Sequence, residues 1–135
     1  MAAASIPVTK ELAAFVHDAP VGCATPRAIE VIKHAVLDLS GVIIAATQEE
    51  PSRLALDYAR SQAATGPAAV LGGGIRLAPT LAALVNGTAG HALDFDDIGL
   101  GAGHVSVAIV PAVVAAAELV DADGAALVDA LTVGY

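Results

Sequence analysis

From Thr25 to Ala46 the chain reads TPRAIEVIKHAVLDLSGVIIAA, and within it Ala28, Val31, Ile32, Ala35, Val36, Leu39, Val42 and Ile43 recur at i, i+3, i+4 spacing. That recurrence follows the 3.6-residue period of a helix and not the two-residue period of a strand. The start is equally legible. A threonine hydroxyl can accept a free N–H of the first turn, and proline at the first helical position gives up an N–H that has no partner there anyway. A helix from Pro26 to about Ala46 with so broad an apolar stripe has to be covered by other elements, so the rest of the chain is expected to pack around it.

The remaining punctuation predicts what those elements are. Thr9 is placed to cap a first helix through about His17, a third helix begins at Pro51 and ends before Gly66 and Pro67, and a fourth follows Pro79. That fourth helix carries Leu81, Leu84, Val85, Ala89 and Leu93 towards a group of acidic residues. Gly99, Gly101 and Gly103 then break the pattern into a flexible loop. A fifth helix follows Ser106, and a sixth starts near Asp123 or Gly124 and runs to Tyr135. The segment AAVLGGG, Ala68 to Gly74, is too short and too glycine-bounded for a helix and reads as a small extended segment or hairpin arm. The expectation is an all-α helical bundle with at most a short β segment near residues 68–72. No repeat period or low-complexity linker divides it, so residues 1–135 are expected to form a single domain. The closing LVDALTVGY is in mid-helix pattern without a stop signal, and that domain is expected to be incomplete.

Composition narrows the class of partner. With 135 residues, 56% of them hydrophobic and 15% charged, the chain has material for a core and argues against disorder. Six Lys plus Arg against fourteen Asp plus Glu give a net charge of −8, which repels phosphate backbones and anionic lipid head groups; nucleic acid is not expected as a partner. One cysteine, Cys23, cannot form an intramolecular disulfide, and a reducing, cytoplasmic location is the expectation. The opening MAAASIPVTKELAAF lacks a basic n-region and is interrupted by Lys10 and Glu11, unlike a secretory signal. Val105 to Val120, the most apolar stretch, carries Glu118 and falls short of the ~20 residues of a membrane span, so no membrane partner is expected either.

The chemistry is concentrated in residues 86–104, NGTAGHALDFDDIGLGAGH, which hold His91, Asp94, Asp96, Asp97 and His104. If the fourth helix continued through them, His91, Asp94 and Asp97 would share one face, with Asp96 on a different side. Clustered carboxylates raise one another's pKa, as a general base requires, and acidic groups at a helix C-terminus oppose the helix dipole, which points to a purpose other than local stability. The plainer alternative is that Asp96 and Asp97 solvate a helix end. His104 is either an acid/base group or the start of a capped helix. No metal is expected, since His91, Asp94, Asp97 and His104 match no strong spaced ligand motif such as HExxH. Gly72 to Gly74 lack the GxxxxGK[ST] pattern of a phosphate loop. His17 and His34 sit on predicted helices and read as surface or satisfied core groups.

NGTAGHALDFDD, followed by a glycine loop, His104, Ser106 and the apolar PAVVAAAE, resembles the signature region of the MmgE/PrpD family. TKELAAFV, PRAIEVIKHAVLDLSGVIIAAT and AAVLGGGIRLAPTLAALVNG are similar to the same family's N-terminal pattern, in order, over nearly the whole chain. The family includes 2-methylcitrate dehydratase, cis-aconitate decarboxylase and iminodisuccinate epimerase. The resemblance implies a helical domain completed by a smaller lid domain, with dimers as the usual assembly. It also implies metal-independent, cofactor-free lyase or epimerase chemistry on small di- and tricarboxylates. By position it implies Asp94 and His104 as the catalytic pair, with Asp97, Ile98 and His91 against the substrate. This chain departs from the pattern at Ile98, where threonine is common, losing a hydroxyl that could orient substrate. It departs again at Val105, where proline is common, which bears on loop stiffness. Only Arg76 lies near the motif as a cationic clamp, so two readings stand: the N-terminal part of such a lyase, or a truncated, non-catalytic helical module that dimerises or binds a partner.

Overall fold

The computed structural model describes residues 7–99 and 103–135. Six helices and one hairpin follow in the order α1 (Val8–Asp18), α2 (Pro26–Ala45), α3 (Glu50–Ser61), β1 (Ala68–Val70), β2 (Ile75–Leu77), α4 (Pro79–His91), α5 (Ser106–Val120) and α6 (Gly124–Gly134), with one 3-10 turn at Ala46–Gln48 after α2. The all-α expectation holds, and the short β segment is the first arm of an antiparallel pair in which Ala68 faces Leu77 and Val70 faces Ile75. No helix among the described residues is long and apolar enough to cross a membrane.

Thr25 does cap α2, its Oγ1 accepting the Ala28 N–H at 3.2 Å. Asp123 caps α6 in the same way through Ala126, at 2.9 Å. Thr9 does not cap α1, which starts one residue earlier, directly after Pro7, without a side-chain cap. The stripe of α2 buries Ile32, Leu39, Val42 and Ile43, whereas Val31 stands 47% exposed at its rim. The opening residues and Gly101, assigned above to a leaderless start and to the glycine loop, lie outside the described residues.

α4 is the axis of the packing, touching α2, α3, α5 and the hairpin. Aromatic side chains contribute nothing to the buried core, which is built from Ile32, Leu39, Ile43, Ala89, Val110 and Leu131 on one side and from Ala59, Val70, Leu77, Val85 and Ala115 around the hairpin on the other. Small side chains allow close helix approach. At Gly90, a Cβ would stand 2.9 Å from Leu39 Cδ1 and 3.0 Å from Val107 Cγ2, so glycine lets α4 pass between α2 and α5. α1, by contrast, buries no residue.

One buried polar side chain joins the hairpin to this axis. Asn86, 5% exposed in mid-α4, donates from Nδ2 to the Ala69 carbonyl at 2.9 Å and accepts the Leu71 N–H on Oδ1 at 3.0 Å. An amide has both a donor and an acceptor, so a single side chain satisfies two backbone groups that the core would otherwise strand. Replacing Asn86 by the isosteric but apolar leucine should therefore cost about 2 to 4 kcal/mol, since each stranded group costs on the order of 1–3. Urea unfolding measures this; a loss below about 0.5 kcal/mol, the usual range for surface changes, would show that the bridge is dispensable.

Candidate active site

α4 ends at His91, two residues short of Leu93, and the expected helical face of His91, Asp94 and Asp97 does not form. The Ala92 N–H bonds back to Ala89 and the Asp94 N–H to His91, both three residues away, and Asp94 then takes φ +56°. A non-glycine residue in the left-handed region is uncommon, though aspartate tolerates it better than most, and the turn carries the chain off the helix axis. Residues 95–98 run on without regular structure. Gly99 donates its N–H to the Gly103 carbonyl at 2.8 Å, so the expected flexible glycine loop is pinned at its neck, with Gly103 at φ +75°.

That path puts Asp96 inside and its neighbours outside. Phe95 and Ile98 are 72% and 75% exposed, while the Asp96 side chain is fully buried. Its Oδ1 lies 3.0 Å from His91 Nδ1 and its Oδ2 3.0 Å from His104 Nδ1. The two imidazoles meet edge to face, with ring centroids 4.5 Å apart. On the far side of His104, Nε2 stands 3.6 Å from Oδ1 of the exposed Asp94. His104 thus sits between two carboxylates, one buried and one in water.

Asp97 points to different work. Its Oδ1 accepts the Ser106 N–H at 3.0 Å and its Oδ2 the Ser106 hydroxyl at 2.6 Å, closing the first turn of α5; the Ser106 hydroxyl also meets the Tyr135 hydroxyl. Burial pushes the Tyr135 phenol above its ordinary value, with the hydrogen bond to Ser106 opposing and the Asp97 charge adding to the rise. The anticipated clash of acidic groups with a helix C-terminus therefore reverses for Asp97: α4 has already ended, and its charge faces an N-terminus, where the dipole favours it.

Of the five residues to which the resemblance gives site roles, His91, Asp94 and His104 converge, Asp97 is engaged by Ser106, and Ile98 lies exposed beside them. Asp96, though part of the acidic group, Ser106, though part of the signature, and Tyr135 carry no site role in the sequence reading. A solvated helix end is the plainer of the two alternatives open for Asp96 in the sequence, and the signal that points to its burial is the pair of histidines flanking a segment that leaves the helix.

His91, Asp94, Asp96 and His104 bring four ligand-type atoms within 4.8 Å of one another. A cation there would have to compete with the contacts that Asp96 makes to both Nδ1 atoms. No lysine or arginine among the described residues pairs with Asp94, Asp96 or Asp97; Arg76 is turned to Glu118, at 3.2 Å, and to the Pro67 carbonyl. The arrangement can hold and move a proton, but it supplies no cationic grip on an anion.

A family profile described as the MmgE/PrpD N-terminal domain matches residues 10–135. The cis-aconitate decarboxylase of Homo sapiens is 38% identical over 112 residues, and that of Mus musculus 35% over the same length; each alignment covers 82% of this chain and 23% of the relative. The chain thus spans about a quarter of the length of the curated relatives it matches. No solved structure matches.

Because Asp97 holds the N-terminus of α5, Asp97→Ala should lower stability by about 1–2 kcal/mol, as loss of a cap does, and Asp97→Asn by less, since one acceptor oxygen survives. Thermal unfolding of the two variants checks the order; equal melting temperatures for Asp97→Ala and the parent would mean that the contact does not hold the helix.

Proposed function

The chain belongs to the MmgE/PrpD family through its N-terminal domain, and from that premise we propose that it carries the acid/base part of a lyase site for small di- or tricarboxylates, with cis-aconitate the first candidate. The observation that carries this reading is the placement of the His104 Nε2 beside Asp94 while its Nδ1 is held by Asp96. Elimination and decarboxylation next to a carboxylate both require a proton to be removed from, or delivered to, carbon, and an imidazole, which can accept a proton or give one up, can do either. The left-handed backbone of Asp94 supports the assignment, since conformations costing on the order of 1–3 kcal/mol cluster at functional positions. The names of the relatives support the substrate class.

In this proposal His91, Asp97 and Ile98 border the substrate, Ile98 supplying an apolar contact, and neither metal nor cofactor takes part. The substrate's own carboxylates need cationic partners to offset their desolvation, and these come from outside the residues described. Asp94→Asn and His104→Gln should each lower turnover about 10²–10⁴-fold in the protein that carries this chain. Dialysis against a chelator should leave the rate unchanged. Carbon dioxide release from cis-aconitate, together with product analysis for 2-methylcitrate, measures all three; full activity in either variant would overturn the site assignment.

A second reading, an interaction or dimerisation module, rests on a different observation. Leu12, Phe15 and Val16 of α1 are each about 60% exposed, and an apolar cavity of about 700 Å³ opens between the end of α1, the loop through Cys23, and α6. Apolar surface of this kind is characteristic of contact sites. Sedimentation of the 13.3 kDa chain distinguishes the readings: a dimer without turnover favours the module, and a monomer removes self-association as its basis.

A further inference from the structure

Asp96 is the only one of the clustered carboxylates whose side chain is wholly buried, and both of its oxygens are occupied by imidazole nitrogens. A buried carboxylate is tolerated when it stays hydrogen-bonded, and an ionised one can only accept. If it accepts at both oxygens, both Nδ1 atoms must carry protons. We propose that Asp96 is the positioning residue of this site: its ionised carboxylate holds His91 and His104 as Nδ1–H tautomers, leaving each Nε2 as the proton-accepting atom. In a neutral imidazole one ring nitrogen donates and the other accepts, so fixing the first decides the second.

The consequence for His104 is specific. Its unprotonated Nε2 faces an Asp94 oxygen at 3.6 Å, two acceptors with no proton between them. A proton taken from a substrate C–H passes to Nε2, the electron pair of the broken bond stays on the substrate carbon, and the resulting imidazolium lies between two carboxylates that stabilise its charge. Asp96 orients the ring and takes no proton in this step. His91, from the end of α4, takes the other oxygen of the same buried carboxylate, so one group orients both imidazoles. The catalytic part of this inference rests on the function proposed above, whereas the tautomers do not.

Nitrogen-15 NMR of the imidazole rings tests it, in the full chain, with the pH raised until the ring signals no longer change and the rings are neutral. His91→Gln and His104→Gln assign the two rings among the four histidines by loss of signal. The expected spectrum has His91 and His104 protonated on Nδ1. In Asp96→Asn, where an amide N–H can donate, at least one ring should change to the Nε2–H form, and Asp96→Glu should restore the original pattern. A proton on Nε2 of His104 in the parent protein, or unchanged tautomers in a folded Asp96→Asn, would overturn the proposal. Should Asp96→Asn fail to fold, the parent spectrum and that of His91→Gln decide: His104 keeps its Nδ1 proton in the latter if Asp96 fixes it, and loses it if the two histidines merely order each other. Intact tautomers in a protein that never acts on cis-aconitate would count against the function and leave this inference standing.

Discussion

The burial of the Asp96 carboxylate is the constraint around which the segment between α4 and α5 is arranged. A carboxylate removed from water is costly unless hydrogen-bonded, and here the two groups that satisfy it come from the end of α4 and the residues just before α5. Those contacts draw the two ends of the intervening segment together. The next residue, Asp97, turns outward and closes the first turn of α5 through Ser106, so one pair of adjacent acids joins two helices by opposite means: one acid enters the interior and the other caps a terminus. Asp94, at the turn off α4, is left in solvent beside His104. The four residues Asp94–Asp97 therefore hold three carboxylates in three environments, one buried between two imidazoles, one closing the first turn of α5 and one in solvent beside His104.

The helices were legible because their signals are local. The apolar period of α2, Thr25 before Pro26, Asp123 before α6 and the glycines flanking the hairpin each act within a few residues of the element they specify. Val31 fell outside the core because a stripe read from spacing alone is broader than the surface its neighbours cover. The acidic cluster is visible in the sequence as a cluster, and four of its five members, His91, Asp94, Asp96 and His104, do converge, but which carboxylate is buried and which caps α5 is not visible there. Assigning faces there required knowing that the helix stops at His91, and that stop is made by two short-range backbone bonds and a left-handed aspartate with no glycine or proline to announce it. Asn86 was hidden for another reason: its partners, Ala69 and Leu71, are backbone groups brought close only by the packing of the hairpin on α4.

Charge sets a limit on what these residues accomplish unaided. The protein carries −8, and three of its carboxylates lie in the candidate site, where histidines are the only ion partners of Asp94 and Asp96 among the described residues. An anionic substrate approaching such a surface meets repulsion first. If these groups serve a polycarboxylate, as proposed, the attraction that brings it to them is positive charge that no lysine or arginine paired with Asp94, Asp96 or Asp97 supplies among the described residues.

The hairpin carries a last consequence. A two-stranded sheet has two outer edges, and an exposed row of backbone donors and acceptors is a template on which strands of other molecules can add. On the edge of β1 that faces away from β2, the Ala69 N–H is taken by Glu118 at 2.7 Å, the Ala69 carbonyl by Asn86, and the Leu71 N–H by the same asparagine. Side chains from α4 and α5 thus imitate a third strand. The apolar AAVL segment is closed to intermolecular β-pairing along that edge by two helix residues, Asn86 and Glu118.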